Sequence, residues 1–345
     1  MDLELRELYF QILEEELAEL TDSRTGMLNA KYSKIIDCPL CKSPVGKQRE
    51  LFVKRGFTFV RCENCGMIFV NPQVVPESSR ERYDDSRANN LWVEIQESAK
   101  EQAWKKGYYA EQIQLLKKYI DKPTLNLIDI GCSSGHFLEI SKKHQPEWSV
   151  KGVELNSKAC YYATQKNLDV EQKLLSELDE NQKFDVFTLF GVLEHLSDPL
   201  TILKDMKDHS KDTSYVLAIV PNAYSLYCMF LQSKSVSFDG RNHLLYFSGK
   251  TLHSLFQDNG FEIIHLDTVL TGLTNIKRQI QWLDPYESID GTKYIPEEIR
   301  HFLESGEVED LILQYNLGLR LRVLAKFEKN NEKNGERCSK NCKTL

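Results

Sequence analysis

The chain has no excess of basic residues. Its 44 lysines and arginines face 51 aspartates and glutamates, for a formal net charge of −7. That balance leaves no electrostatic footprint for nucleic acid or for an anionic membrane, so a nucleic-acid partner is not expected. No apolar run approaches the length of a membrane span. The first residues, Met1-Asp2-Leu3-Glu4, are acidic where a signal peptide is basic. No internal repeat is present. Nor do the nine cysteines read as a disulfide framework: four fall into two Cys-x-x-Cys pairs, while Cys132, Cys160, Cys228, Cys338 and Cys342 are scattered. These absences point to the reducing cytoplasm and to one metal site.

What is present is a chain of 345 residues, enough for one large or two modest domains with ample core. It is organised around Leu125 to Ile140. An apolar, β-branched run, Leu125 to Ile130, reads as a buried parallel strand. Gly131 and Gly135 follow, then the helical spacing of Phe137, Leu138 and Ile140. Strand, glycine-rich turn and helix open a nucleotide-binding βαβ unit. The glycines admit a ligand close to the backbone, and the helix N-terminus offers free N–H groups. Asp129, inside the strand end, suits a cationic, amine-bearing ligand rather than a pyrophosphate.

Towards the N-terminus, residues 1–30 hold an amphipathic helix with apolar positions from Leu5 to Leu20, a face for its own domain or for a second copy in a homodimer. Cys38-Pro-Leu-Cys41 and Cys62-Glu-Asn-Cys65-Gly66 follow, with twenty residues between the pairs. That spacing suits four thiolates around one Zn²⁺, brought together by a hairpin of Glu50 to Val53 and Phe57 to Arg61. Four protein ligands leave no open position, so the metal reads as structural. Residues 31–75 thus form a zinc ribbon. Residues 76–120 are a helical linker whose aromatics pack against the core, or whose Tyr83 or Tyr109 covers the ligand as a lid.

The core then repeats a βα rhythm: strands at Trp148 to Leu155, Val170 to Leu175, Phe184 to Phe190, Tyr215 to Val220 and Phe261 to Leu266. Residues 270–315 are a helical insertion, Leu317 to Phe327 is a last strand, and 328–345 is a disordered tail. Glu154 lies nineteen residues after Gly135, where a carboxylate can accept from ribose hydroxyls.

Asp129-Ile130-Gly131-Cys132-Ser133-Ser134-Gly135 resembles motif I of the class I S-adenosylmethionine (SAM) methyltransferases, with Ser133 in place of the central glycine. Glu154 matches their motif II. The run from Phe184-Asp185-Val186 through Val192-Leu193-Glu194-His195-Leu196-Ser197-Asp198-Pro199 resembles the segment after strand four in the branch that methylates quinones and other small molecules. His243-Leu244 to Phe247-Ser248 and Asn259-Gly260-Phe261 continue that likeness.

The resemblance implies an α/β fold: a seven-stranded Rossmann-like sheet over residues 121–327, mostly parallel, its last strand antiparallel between the fifth and sixth. It implies SAM as cofactor, held by Asp129, Gly131, Cys132, Gly135, Glu154, Leu155 and Phe190. The acid that many members carry after strand three is replaced here by Lys173, Leu174 and Leu175. His195 is the first candidate base and His243 the second, each with a purely structural role as the competing reading. Quinone O-methyltransferases of this type hold a divalent metal through an acid three residues before a Glu-His pair. Here that position is Gly191, so the resemblance carries no catalytic metal over.

Three functions compete: methyl transfer to the oxygen or nitrogen of a small molecule (a sugar, lipid or secondary metabolite), a catalytically degenerate SAM-binding protein, and an RNA methyltransferase that reads through its ribbon. Asn222 sits in Pro-Asn-Ala-Tyr, unlike the Asn-Pro-Pro-Tyr type motif of base-amine methyltransferases. The first is favoured.

Overall fold

Buried on both faces, the apolar run Leu127 to Ile130 sits at the middle of a seven-stranded sheet. The computed structural model describes residues 3–75, 84, 86–273, 276, 301 and 305–329. Before that sheet come α1 (Leu3–Leu20), β1 (Ser33–Lys34), β2 (Gln48–Lys54), β3 (Phe57–Cys62), β4 (Ile68–Val70), β5 (Gln73–Val74), α2 (Arg87–Gln96) and α3 (Ala99–Tyr119). The sheet region runs β6 (Asn126–Ile130), α4 (His136–His144), β7 (Ser149–Val153), α5 (Ser157–Gln165), β8 (Val170–Glu171), β9 (Phe184–Phe190), α6 (Pro199–Asp208) and β10 (Ser210–Pro221). It closes with α7 (Leu226–Leu231), β11 (Leu245–Tyr246), α8 (Gly249–Gln257), β12 (Glu262–Val269), α9 (Gly306–Gln314) and β13 (Arg320–Glu328).

Strand order is β12-β13-β10-β9-β6-β7-β8. The five strands from β8 to β10 are parallel, and β13 lies antiparallel between β10 and β12, as expected. The chain leaves β6 outward to β7 and β8, then returns past it to β9. The carboxyl ends of β6 and β9 therefore flank a topological switch point, where open α/β sheets bind ligands. Two segments differ most from the sequence reading. The third strand is two residues rather than six, because Leu174 is exposed and its N–H is taken by the Glu177 carboxylate at 2.8 Å, which turns the chain. The fifth strand starts five residues early, at Ser210, with a register shift before Tyr215.

The cysteine module forms a second, four-stranded sheet of order β11-β4-β3-β2. Its hairpin appears where expected. Its edge strand β11 comes from far along the chain, just after His243. Phe57, Phe59, Val70 and Tyr246 of this sheet share a core with Leu13 and Leu17 of α1, each large apolar side chain worth about 1.5–3 kcal/mol when buried. Leu13 and Leu17 of the α1 stripe are thus covered within one chain, while Leu8 and Phe10 are exposed. Tyr83, most of 270–304, Cys338, Cys342 and the tail lie outside the described residues.

Candidate functional site

The turn after β6 begins with backbone that favours glycine. Gly131 and Gly135 have φ of 66° and 77°, and Ser133, between them, has 49°. A Cβ on Gly131 would meet Val192 Cγ2 at 2.8 Å, and one on Gly135 would meet Leu168 Cδ1 at 2.4 Å. Both glycines therefore let neighbouring elements close on the turn, as well as baring backbone. The Cys132 side chain turns down into the core against Gly152, whose own Cβ would lie 2.5 Å from Cys132 Sγ. Cys132 thus offers the crevice backbone only.

Asp129 is buried, and Thr188 Oγ1 of β9 donates to its Oδ1 at 2.6 Å. Burial pushes its carboxyl up to about 7, against the Thr188 hydrogen bond and with the help of nearby Glu154. Such a carboxyl gains most from an added cation. Glu154, just past β7, accepts from the backbone N–H of Ser133 (2.8 Å), Leu155 (2.7 Å) and Asn156 (2.9 Å). Of about four lone-pair positions on a carboxylate, three are engaged, so the residue ties the glycine-rich turn to β7 and keeps room for one further donor. Phe190, at the end of β9, packs against Phe137 and Tyr109 with ring centroids 4.7 and 5.4 Å away. Tyr109 is thus part of the wall beside the crevice.

Just beyond β9, Gly191 turns the chain (φ 74°) into a 3₁₀ turn at Leu193–His195. Here the structure brings together the two histidines that the sequence left as rivals. Their ring centroids are 4.9 Å apart. His195 Nδ1 donates to the Asn242 carbonyl at 2.8 Å and His243 Nδ1 to the Ser237 carbonyl at 3.2 Å. Each ring is thereby oriented by a proton on Nδ1, with Nε2 as its other nitrogen. Glu194 completes the group: ligand atoms of Glu194, His195 and His243 all lie within 4.8 Å of one another. Glu194 is 1% exposed, its Oε2 has no hydrogen-bond partner among the described residues, and burial raises its pKa. The sequence reading used Glu194 only as part of a motif. Its signal was a carboxylate beside the candidate base. Two oriented imidazoles and a carboxyl suit proton removal; the same donors suit a divalent cation.

Segments ahead of the core brace the site. Glu97, after α2, sits 2.7 Å from His136 Nε2 and 2.9 Å from Lys166 Nζ. It is held down to about 2 by these partners and Ser134, against the opposing effect of burial. Asp84 accepts from Ser157 N at 2.7 Å, and Asn90 bonds Asn156 at 2.8 Å. Arg241, two residues before His243, pairs with Glu16 of α1 at 2.6 Å, both nearly buried.

In the ribbon, Cys38 and Cys65 sulfurs are 3.6 Å apart, as are those of Cys41 and Cys62. A tetrahedron with Zn–S of about 2.3 Å has edges of about 3.8 Å. Lys42 and Gly66, each just after a pair's second cysteine, both take positive φ (57° and 83°). Lys42 N and Gly66 N donate back to Cys38 O and Cys62 O at 2.9 Å. These are two matching turns, and only one uses glycine. All four thiols are free. The hydrogen bond with Cys65 pulls Cys38 down to about 5 and drives Cys65 upward. Four sulfurs this close fit a divalent soft cation.

Residues 102–266 match the family model of a methyltransferase domain. Over 93 residues the chain is 29% identical to the mitochondrial ubiquinone biosynthesis O-methyltransferase of Candida albicans, covering 24% of this chain and 28% of that protein. Over 135 residues it is 30% identical to the tRNA U34 carboxymethyltransferase of Nautilia profundicola, covering 33% and 45%. The chain spans less than half the length of either relative. Among solved structures, the plantazolicin methyltransferase in complex with SAH is 13% identical, with 72% of this chain and 94% of that one covered and a TM-score of 0.48. A SAM dependent methyltransferase from Archaeoglobus fulgidus is 21% identical, with 68% and 98% covered and a TM-score of 0.46.

Proposed function

We propose that this enzyme, a class I SAM-dependent methyltransferase by its matched domain, methylates an oxygen or nitrogen of a small molecule. The observation that carries the reading is the placing of two chemistries side by side at the switch point. One is an acid-lined turn at the ends of β6 and β7, and the other a pair of oriented imidazoles with a buried carboxyl just past β9. When bound, SAM supplies a methyl group activated by its sulfonium. Asp129 takes its ammonium, Glu154 accepts from the ribose, and Phe190 and Leu155 pack beside it. Gly131, Cys132 and Gly135 present backbone. The acceptor lies against Glu194, His195 and His243, and a histidine Nε2 receives the proton that leaves the acceptor. The walls that Tyr109 and Phe190 form keep water from the transfer.

Zn²⁺ on Cys38, Cys41, Cys62 and Cys65 is structural in this reading. The test is methyl-labelled SAM incubated with the full chain and metabolite extract, with labelled products identified by mass spectrometry. Labelled small molecules are expected. SAM and SAH both failing to bind at sub-millimolar concentration would overturn the reading in favour of a degenerate scaffold.

One observation favours a second reading, transfer to RNA. A cleft of about 510 Å³ beside the ribbon is lined by Arg49, Arg61 and Lys250 with Tyr224 and Ser248, and one relative's name includes a tRNA nucleoside. Against it stands the net charge of −7. RNA binding that weakens steeply with salt, and labelled RNA in place of labelled metabolites, would decide for it.

A further inference from the structure

Arg320 opens β13 opposite Pro221, the last residue of β10, so it stands at the carboxyl edge of the parallel strands. Its Nη1 comes within 4.0 Å of where a Cβ on Gly191 would be, and Glu194 Oε1 within 3.4 Å of the same point. Gly191 places no side chain between them. Arg320 is close enough to Tyr108, Tyr109 and Glu194 to bear on their charges. Yet among the described residues the half-buried guanidinium makes no hydrogen bond or ion pair. Arg322, two residues on and on the same face of the strand, differs: Asp267, Glu111 and Gln112 hold it at 2.5 to 3.0 Å. An arginine fork that meets no anion among the described residues is open to one from a ligand, and this one stands over Gly191 beside the crevice where the acceptor lies.

We propose that Arg320 is a specificity-determining residue whose guanidinium seats an anionic oxygen group of the acceptor, a carboxylate or a phosphate, above Gly191. This rests on the methyl-transfer reading. A planar fork matches either anion with two parallel bonds. In a chain of net charge −7 a local cation is what admits such an acceptor.

The test splits metabolite extract on an anion exchanger into flow-through and retained fractions, the latter with and without phosphatase treatment. Each fraction is offered to the full chain with methyl-labelled SAM. Label is expected in the retained fraction; its loss after phosphatase identifies phosphate, and its survival carboxylate. Arg320→Gln should lower that labelling about ten- to a hundred-fold, the worth of a charge-assisted pair, and Arg320→Lys should lower it less. SAM affinity should stay unchanged in both. Label confined to the flow-through, or wild-type rates with Arg320→Gln, would overturn the proposal.

If nothing is labelled, the methyl-transfer reading is in question but Arg320 is still decided. Inorganic phosphate is titrated onto the full chain to roughly 10 mM, the range of a single strong pair, while arginine Nε–H signals are followed by NMR. The signal that Arg320→Gln removes should shift in wild type. If that signal stays still, the proposal falls.

Discussion

Replacing Asp129 with asparagine should separate stability from binding. In the free protein the carboxyl is 3% exposed and its pKa rises from 3.8 to about 7, chiefly by burial. A raised folded-state pKa means that the folded chain holds this proton more tightly than the unfolded one. The stability it brings is complete below pH 3.8, falls as the pH rises, and is gone above about 7. The ceiling on that loss is about 4 kcal/mol, of which about 2.5 kcal/mol falls between pH 5 and 8. An asparagine in its place would have no charge to bury and would keep an oxygen for the Thr188 hydroxyl. The melting temperature of Asp129→Asn relative to wild type should therefore rise by up to about 5 °C on going from pH 5 to pH 8, at about 2 °C per kcal/mol. SAM binding at pH 8 should weaken about ten- to a hundred-fold, because an ammonium loses its carboxylate. Thermal unfolding across that range without ligand, with calorimetry of SAM, reads both. A stability gap that stays constant with pH, or shrinks as pH rises, would refute the argument.

Glu154→Ala should weaken SAM about ten- to a hundred-fold by calorimetry and also lower the melting temperature, because three backbone N–H groups lose their acceptor. His195→Ala and His243→Ala should each reduce methyl transfer by about 10²–10⁴-fold with SAM affinity unchanged; wild-type turnover in both would remove the histidines from the chemistry. Glu16→Ala should cost about 3–5 kcal/mol in chemical denaturation by leaving Arg241 buried without its partner, and a loss under about 1 kcal/mol would show the pair to be screened as at a surface. Elemental analysis should find one zinc per chain; X-ray absorption should give four sulfurs at about 2.3 Å, and less than about half an equivalent in reducing buffer would count against the site.

The sheet was legible because its signals are local and redundant. Each buried strand reads as an apolar run, and the turn at Gly131 to Gly135 has a composition few other structures need. The ribbon cysteines were legible for the same reason, since two short spacings fix four ligands. Interactions that join distant segments were not. Glu97 with His136, Glu16 with Arg241, and Asn90 with Asn156 link residues 39, 225 and 66 positions apart in the sequence, and no periodicity marks such pairs. Arg320 was hidden differently. It sits in an alternating strand where every second side chain reads as core or surface, and only the fold brings it over the empty place at Gly191. Glycines could be misread as well, for Gly135 gives room to Leu168 as much as to any ligand.

The ribbon's place in the fold makes it more than an appendage. β11 is the edge strand of the ribbon sheet and begins two residues after His243. Val70 of β4 donates to the Leu244 carbonyl at 3.0 Å, and Leu244 donates to the Glu194 carbonyl at 2.8 Å. Two hydrogen bonds thus carry a mechanical path from the ribbon through the His243 segment to the turn that holds Glu194 and His195. α1 reinforces the same segment from the other side, through Glu16 on Arg241. The Gly131 turn packs against Val192, just ahead of Glu194. It and the β7 end that carries Glu154 are also braced by α2 and the Glu97 corner, and α2 is in turn tied to α1 through Ser86 and Ala88 on Glu16. Glu16 of α1 thus serves both halves of the crevice, through Arg241 on one and through the start of α2 on the other. A small module that cannot bury a sufficient core alone would be held rigid by Zn²⁺ on its four cysteines, and by this path that rigidity would reach the side of the crevice that carries the imidazoles.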